Sequence, residues 1–235
     1  MNLQDCRVLK YSSWTPSLPE KEPDITFTDP RFRRRLSMVS RMTIRVLHDL
    51  MPLPAETKIY FISFRGELSR QFKINKTLVT EGDIKPADFS LSVFNAPPAL
   101  ASMALGLTAG YSAVYPGKNN FRAALLGAAA CAGCSAPPQE PGRLGGDPAA
   151  PAHTGQDRTP ALALVYADEE LPGEYLPLME QPPPVLAFAA LLHAGPSQSG
   201  VPLPLDCGSP ETFLYSLMIR GDGGINKTAG ARGEK

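Results

Sequence analysis

Cys131 and Cys134, in the sequence CAGC, have the spacing of a redox dithiol or of one half of a zinc site. A zinc site needs two further ligands, and the sequence has no second CxxC and no histidine pair at ligand spacing. A redox CxxC begins a helix, where the helix dipole lowers the thiol pKa, whereas this pair ends a predicted helix. The pattern favours two small residues that close a helix over reactive thiols.

The three histidines do not form a catalytic or metal-binding set. His48 falls late in a predicted helix, where the helix dipole favours a basic side chain. His153 falls in a Pro/Gly-rich segment, and His193 ends a predicted strand. No spacing pairs any two of them as ligands, so the sequence indicates structural roles and no metal site.

Acidic residues and glycines provide two further candidates. Asp168, Glu169 and Glu170 follow a predicted strand, where they could bind a cation at the carboxyl end of a sheet. A solvated acidic loop explains them better. The glycine cluster GDGG at 221–224 lacks the strand and helix that a phosphate-binding loop needs. Because no GxSxG, HExxH or P-loop motif is present, residue chemistry alone predicts an α/β domain without a visible active site.

The elements that would position these residues alternate between strands and helices, which predicts a layered α/β domain with a mainly parallel mixed sheet. We expect strands at Lys58–Arg65, Tyr111–Tyr115, Ala161–Tyr166 and Val185–Leu192. We expect helices at 32–50, Glu67–Thr80, Asn95–Leu107 and Phe121–Ala132, the last two apolar enough to be buried on most sides.

The helix predicted over 32–50 has an N-cap at Asp29, a proline at its first position and a stop at Pro52. It is unusually rich in arginine. These side chains form either a patch for phosphate or acidic protein, or a solvated helix face. The arginines are Arg31, Arg33, Arg34, Arg35, Arg41 and Arg45.

Composition excludes several classes of protein. The chain has 235 residues, the size of one domain, and its 23 basic and 23 acidic side chains cancel, which argues against nucleic-acid binding through bulk positive charge. Four cysteines are too few for a disulfide scaffold. No apolar run is long enough for a membrane span, and the first 20 residues lack the pattern of a secretory signal. We therefore expect a cytoplasmic protein.

Two regions have a different composition. Residues 135–160 contain six prolines and four glycines and almost no large apolar side chain. Such a segment buries too little surface to offset its ordering entropy, so a disordered insertion is expected there. Residues 201–235 match no clear pattern and are left as an unassigned C-terminal tail.

Four sequence blocks, in this order, resemble the N-terminal half of the β-ketoacyl synthase fold. The resemblance is closest to short ketosynthase-like proteins of bacterial aryl polyene and fatty-acid-like clusters, and it covers roughly residues 10–195. It implies a thiolase-like half fold. The blocks are FRRRLSMVSRM (Phe32–Met42), IYFISFRGELSRQF (Ile59–Phe72), FSLSVFNAPPALASMALGL (Phe89–Leu107) and ALVYADEELPGEYLPLMEQPPPVLAFAALL (Ala163–Leu192).

The resemblance also implies where a catalytic cysteine should lie. In ketosynthases a strand leads to this nucleophile at the start of a buried helix, where the helix N-terminus favours the thiolate. Here that position falls near Gly117, and neither Pro116, Gly117 nor Lys118 carries a thiol. The chain also ends before a second half that would supply two histidines. No catalysis by this chain alone, and no cofactor, is therefore expected.

Chain-length factors are ketosynthase-like proteins without the cysteine that pair with an active ketosynthase. The resemblance implies that the strand before the nucleophile position, consisting of Tyr111, Ser112, Ala113, Val114 and Tyr115, meets its counterpart in that partner. It implies Phe89 as a candidate gate of the partner's acyl pocket. It offers Arg33, Arg34 and Arg35 as a candidate patch for an acyl carrier protein.

Two alternatives stay open. One is a cysteine-dependent acyltransferase that uses Cys131 or Cys134, or a fragment of a ketosynthase. The other is a protein-interaction domain without a connection to acyl chains.

Overall fold

A computed structural model describes residues 6–16, 21–117, 120–134, 161–178, 183–194, 200–221 and 226–227. The predicted insertion at 135–160, His153, Lys118, most of the GDGG cluster and the end of the tail lie outside these residues. The strands are β1 (Cys6–Trp14), β2 (Lys58–Ile62), β3 (Tyr111–Val114), β4 (Leu162–Asp168), β5 (Leu186–Ala194), β6 (Val201–Pro202) and β7 (Asn226–Lys227). The helices are α1 (Pro30–Arg33), α2 (Met38–His48), α3 (Leu68–Glu81), α4 (Pro86–Ser90), α5 (Ala96–Leu105), α6 (Phe121–Cys134) and α7 (Pro210–Gly221).

The described strands form one mixed sheet in the order β3-β2-β4-β5-β1-β6, with β7 beside β1. Strands β3, β2 and β4 run parallel, whereas β5 is antiparallel to both β4 and β1. Because side chains alternate along a strand, Tyr60 and Ile62 of β2 face α6 and α7, and Ile59 and Phe61 face α2 and α5. The layered α/β prediction is confirmed, with helices on both faces of a mixed sheet.

The predicted continuous helix over 32–50 is wrong. Asp29 caps a short α1, as expected, by accepting hydrogen bonds from the amides of Arg31 and Phe32. The chain then turns, and α2 begins with its own N-cap, because the Ser37 hydroxyl accepts from the amide of Ser40. The turn separates the arginines between two helices and the connection that joins them.

Strand β1 was not predicted, although it lies between β5 and β6 inside the sheet. Its period-2 pattern is interrupted by a bulge between Val8 and Lys10. The bulge places Val8 and Tyr11, three residues apart, in the same core cluster, and it leaves Ser12 buried with its hydroxyl donating to the carbonyl of Val46. A search for strict alternation therefore misses this strand.

Helices α5 and α6 are less buried than the sequence suggested. In α5 the buried residues lie within the first six positions, and Met103 is 66% exposed. Asn95 takes the predicted N-cap position of α5, but its side chain donates to the hydroxyl of Tyr111 and does not cap the helix. In α6, Arg122 and Ala130 are exposed. Both helices thus present an outer face beyond the sheet.

Residues 201–221, part of the tail that the sequence left unassigned, contribute side chains to the core. Helix α7 inserts Phe213 and Leu217 into the cluster that also contains α6 and one face of the sheet. The Phe213 ring stacks on Phe188 of β5 at 5.0 Å and meets Phe121 of α6 edge-on at 6.1 Å. The helix therefore covers a part of the sheet that would otherwise be exposed.

Replacing Phe213 by leucine is expected to lower the free energy of unfolding by about 1 kcal/mol, because a buried ring loses two aromatic neighbours. Tyr215 of the same helix is 66% exposed, and its replacement by leucine should change stability by less than about 0.5 kcal/mol. Urea unfolding of both variants measures the difference. Equal midpoints would contradict the assignment of α7 to the core.

Candidate functional site

Strand β3 is the edge of the described sheet. It pairs in parallel register with β2, where Ile59 lies opposite Tyr111 and Ile62 opposite Val114. In the described part of the chain no strand pairs with its other side. Tyr115, which the sequence included in the strand, lies one residue beyond it and is exposed. An edge strand of this kind is a template for pairing with another chain.

The backbone groups available at this edge follow from the pairing with β2. The carbonyls of Gly110 and Val114 accept from the amides of Ile59 and Ser63, so alternate residues from 110 to 114 point toward β2. Because successive peptide groups of a strand point in opposite directions, the amides and carbonyls of Tyr111 and Ala113 face away from β2. These two residues present the groups that a second chain could bind.

The carboxyl ends of β2, β3 and β4 lie side by side at the same end of the sheet, because the three strands are parallel and in register. The turn after β3 therefore lies beside the ends of the other two strands. In this turn Gly117 has a φ of +78°, the left-handed region that favours glycine. Helix α6 begins at Phe121, a few residues later. The strand, turn and helix that the resemblance requires are present, and Gly117 has no nucleophilic side chain.

The cysteines lie away from this turn. Cys131 is ten residues beyond the start of α6, about 15 Å along the helix axis, and Cys134 is the last residue of that helix. Cys6 is buried in β1, and burial raises the pKa of its thiol to about 11. Cys207 is also buried, with its sulfur 3.5 Å from the Ser216 hydroxyl. The expected position of the CAGC pair at the end of a helix is confirmed.

Helices α3 and α4, residues 68–90, form a segment that we call the arm. Ile74 is the only residue of α3 that is buried, and α4 has none. Large apolar side chains on the arm are exposed: Phe89 is 62% and Val79 is 85% accessible. The predicted gate residue Phe89 therefore lies on the surface of this chain, and its role in a partner's pocket stays a prediction.

The arginines predicted as a carrier-protein patch lie around the turn between α1 and α2. Arg33 ends α1, and Arg34 and Arg35 follow it as exposed residues. Two arginines of α2 are instead engaged locally, because Arg41 pairs with Glu22 at 2.6 Å and Arg45 pairs with Asp49 at 2.9 Å. Arg34 and Arg35 take part in no ion pair among the described residues, so they are the most available part of the patch.

Asp168 is fully buried, so the expectation of a solvated acidic loop at 168–170 is wrong for this residue. Its carboxylate accepts from the Ser63 hydroxyl at 2.5 Å, from the Tyr166 hydroxyl at 2.5 Å and from the amides of Phe64 and Arg65. The Arg65 guanidinium lies 3.6 Å away. Asp168 thus fixes the turn after β2 to the end of β4. Burial, the Asp168 charge and its hydrogen bond raise the pKa of Tyr166.

Glu67 and Glu169 form a second buried acidic group near the start of α2 and α3. Glu67 accepts from the hydroxyls of Ser37 at 2.6 Å and Ser40 at 3.0 Å. Burial raises the pKa of Glu67 above its ordinary range, against the lowering effects of Ser37, Arg70 and Ser40. Burial also raises the pKa of Glu169, against the lowering effect of a hydrogen bond from Ser69, and the charge of Glu67 raises it further.

A cleft of about 700 Å³ opens above this pair between α2, α3 and α4. Glu169 lines it together with Ser37 and Ser69, while Leu36 and Ile74 supply apolar surface. The sequence showed the acidic run Asp168–Glu170 but did not predict that its first two residues are buried.

Ser63 and Arg65 could have indicated the burial of Asp168. They follow β2, whose carboxyl end lies beside that of β4, so their donors are close to the acidic run.

The described residues give no sign of a metal site or a membrane span. Within those ranges no group of three His, Cys, Asp or Glu side chains could hold a metal ion. His48 stacks on Phe27 at 3.6 Å, and His193 lies in β5 as expected. None of the described helices is long and apolar enough to cross a bilayer.

Comparison with solved structures gives a fold relative. A chain of the ketosynthase (ApeO) in complex with its chain length factor (ApeC) from Xenorhabdus doucetiae superposes with a TM-score of 0.59. The sequence identity is 20%, and the alignment covers 86% of this chain and 88% of that one. The two chains are thus nearly equal in length. At this identity the likeness shows a shared fold.

Comparison of sequences gives the family. No curated protein matches this chain. A family model, described as the β-ketoacyl synthase N-terminal domain, matches residues 11–138, which is more than half of the chain. The resemblance seen in the sequence blocks is confirmed, and so is the ketosynthase-like fold that it implied. The chain therefore belongs to the family of β-ketoacyl synthase N-terminal domains.

Proposed function

We propose that this chain is a non-catalytic subunit, similar to a chain-length factor, that pairs with an active β-ketoacyl synthase in acyl-chain or polyene biosynthesis. One observation carries the proposal: β3, whose outer side has no strand partner in the described part of the chain, leads toward the turn near Gly117, where the resemblance places the nucleophilic cysteine. The edge offers a surface for a partner, and neither Pro116, Gly117 nor Lys118 carries a thiol that could accept an acyl chain.

The solved complex that resembles this chain supports the same reading. That complex contains a ketosynthase and its chain length factor, and the matched chain is about as long as this one. Within the given sequence the resemblance finds no thiol at the position of the nucleophile, so in this proposal the catalytic residues come from another subunit. In this proposal that subunit is the active synthase, and strand β3 is the contact.

Co-expression with the ketosynthase encoded nearest to this chain, followed by size exclusion with mass detection, tests the proposal. We expect a stable heterodimer of one copy of each chain. A cysteine-reactive acyl probe should then label the synthase and not this chain. If this chain stays a monomer that does not bind the synthase, the proposal is refuted. Labelling of Cys131 or Cys134 would favour the acyltransferase alternative.

Phe89 is proposed to limit the length of the acyl chain by filling the end of the partner's pocket. Replacing Phe89 by alanine in the heterodimer removes most of an aromatic side chain, so we expect longer products at a similar rate. Mass spectrometry of the released acyl chains measures the shift. Val79→Ala is the matched control, because it also removes exposed apolar surface from the arm. Unchanged product length in Phe89→Ala would rule out the gate.

The arginines between α1 and α2 are proposed to attract an acyl carrier protein, whose surface would have to be acidic. The double variant Arg34→Glu, Arg35→Glu should weaken carrier binding by the heterodimer about tenfold and reduce its salt dependence. Arg122→Glu, at an exposed position of α6, is the control for a charge change elsewhere. Calorimetric titration at two salt concentrations measures the effect. Equal losses in the two variants would exclude a local patch.

A further inference from the structure

The arm is attached to the rest of the chain mainly at its root, the start of α3. There the Ser69 hydroxyl donates to the carbonyl of Glu170, and the Arg70 guanidinium donates to the carbonyl of Arg35 at 2.8 Å. Farther along, Ile74 is the one buried residue of α3, and the Phe72 ring meets Tyr175 edge-on. Few buried apolar contacts hold the arm, so its position depends on polar groups at the root.

Glu67 is the central group of this root. It occupies the N-cap position of α3, yet its side chain makes no capping bond to that helix. It reaches instead across to the first turn of α2, where Ser37 and Ser40 donate to it. Arg70 lies with its Nε 3.3 Å from the other carboxylate oxygen. A single side chain thus connects the beginnings of two helices.

Glu169 lies beside this connection and is incompletely satisfied. It is 6% exposed, and no hydrogen-bond partner among the described residues reaches its Oε1 atom. An ionised carboxylate is costly in such a place, and a second one nearby adds repulsion. Glu169 lines the cleft between the arm and α2. A change in its charge therefore affects the contact between the arm and α2.

Charged groups surround the pair on α2, on α3 and at the ends of β2 and β4. The cleft is also lined by charged residues from the end of α3 to α4, namely Glu81, Asp83, Lys85 and Asp88. Arg41 of α2 lines the same cleft but is paired with Glu22. Arg70 and Lys73 of α3 provide positive charge, the latter lowering the pKa of Glu169 only as a minor effect. At the end of β4, Asp168 is buried and held by its own donors, and Arg65 donates to the carbonyl of Glu169. No cation therefore pairs closely with the Glu169 carboxylate.

We propose that Glu67 and Glu169 form a protonation-dependent latch that holds the root of the arm, closed while the pair retains a proton and loosened when both carboxylates are ionised. The direction of the pH dependence follows from the raised pKa of each carboxyl group. The folded state binds a proton more tightly than the unfolded state, so the stabilisation is present below the ordinary carboxyl pKa. It is lost as the pH rises from that value through the raised pKa of the pair.

The latch goes beyond the proposed function and does not depend on it, because it concerns this chain alone. Hydrogen exchange of the isolated chain at pH about 5 and about 8, corrected for intrinsic rates, tests it. We expect amides of α3 and α4 to lose protection about tenfold at the higher pH, while those of β4 and β5 keep theirs. In Glu169→Gln the arm should stay protected at both pH values.

Glu170→Gln is the matched control, because it neutralises the adjacent carboxylate at an exposed position and should behave as the unchanged chain does. Equal protection of the arm at both pH values in the unchanged chain would overturn the latch. A Glu169→Gln chain that loses protection as the unchanged chain does would also overturn it. So would a Glu169→Gln chain that fails to fold at the higher pH, because a neutral side chain at 169 is what the closed latch requires.

Discussion

Replacing Ala113 by proline is expected to weaken the proposed pairing with a β-ketoacyl synthase subunit strongly while this chain remains folded. The Ala113 amide faces away from β2, so its loss leaves the pairing of β2 with β3 intact. At the free edge, proline removes a donor and places its ring where a partner strand would lie. Losing two or three hydrogen bonds of about 1 kcal/mol each corresponds to an affinity roughly 30- to 150-fold lower.

Ser112→Pro provides the matched control for this edge. The backbone amide of Ser112 faces β2, so proline at this position removes a hydrogen-bond donor from the sheet of this chain and should lower its melting temperature. Thermal unfolding of the two isolated variants, and analytical ultracentrifugation of each with the synthase, separate the effects. A heterodimer of undiminished affinity with Ala113→Pro would show that β3 is not the contact, even if the two chains do associate.

Replacing Asp168 by alanine is expected to lower the free energy of unfolding by about 3–5 kcal/mol, enough to leave a typical domain only marginally stable. The carboxylate is fully buried, and its removal leaves the hydroxyls of Ser63 and Tyr166 and two backbone amides without their acceptor. It also removes the negative charge that lies 3.6 Å from the Arg65 guanidinium. Those hydroxyls and amides would remain desolvated, and the Arg65 guanidinium, which still donates to the carbonyls of Glu169 and Pro184, would lose its counter-charge. Urea unfolding measures the change.

Two variants separate the network of Asp168 from a general effect of charge. Tyr166→Phe removes one donor and leaves the others, so it should cost only about 1 kcal/mol. Glu170→Ala removes an exposed carboxylate from the same acidic run and should change stability by less than about 0.5 kcal/mol. If Asp168→Ala were no more harmful than Glu170→Ala, the turn after β2 would have to be held by other contacts.

The placement of Asp168 and Glu169 shows the limit of reading acidic residues from sequence. The run Asp168–Glu170 follows a strand, and solvation is the usual fate of such a run. The burial of Asp168 depends on β2 and β4 lying side by side, because its donors at Ser63 and Arg65 are about a hundred residues away in the chain. No local pattern reports a partner at that distance.

The sequence by itself determined the elements with uninterrupted local patterns and the chemistry that depends on residue identity. The apolar runs predicted β4, β5 and the two apolar helices, and the block resemblance predicted the ketosynthase-like fold and a turn without a thiol at Gly117. These features depend on neighbouring residues, so periodicity and identity are enough to predict them.

Only the tertiary structure decided which strand forms the edge, where α7 packs, and how the arm is attached. Strand β3 is an edge because β2 takes one of its sides and, in the described part of the chain, nothing takes the other. The break before α2 depends on Ser37 and on Glu67, which lies 30 residues later. Strand β1 survives a bulge because β5 pairs along most of its length. In each case the deciding free energy comes from contacts between residues far apart in the chain.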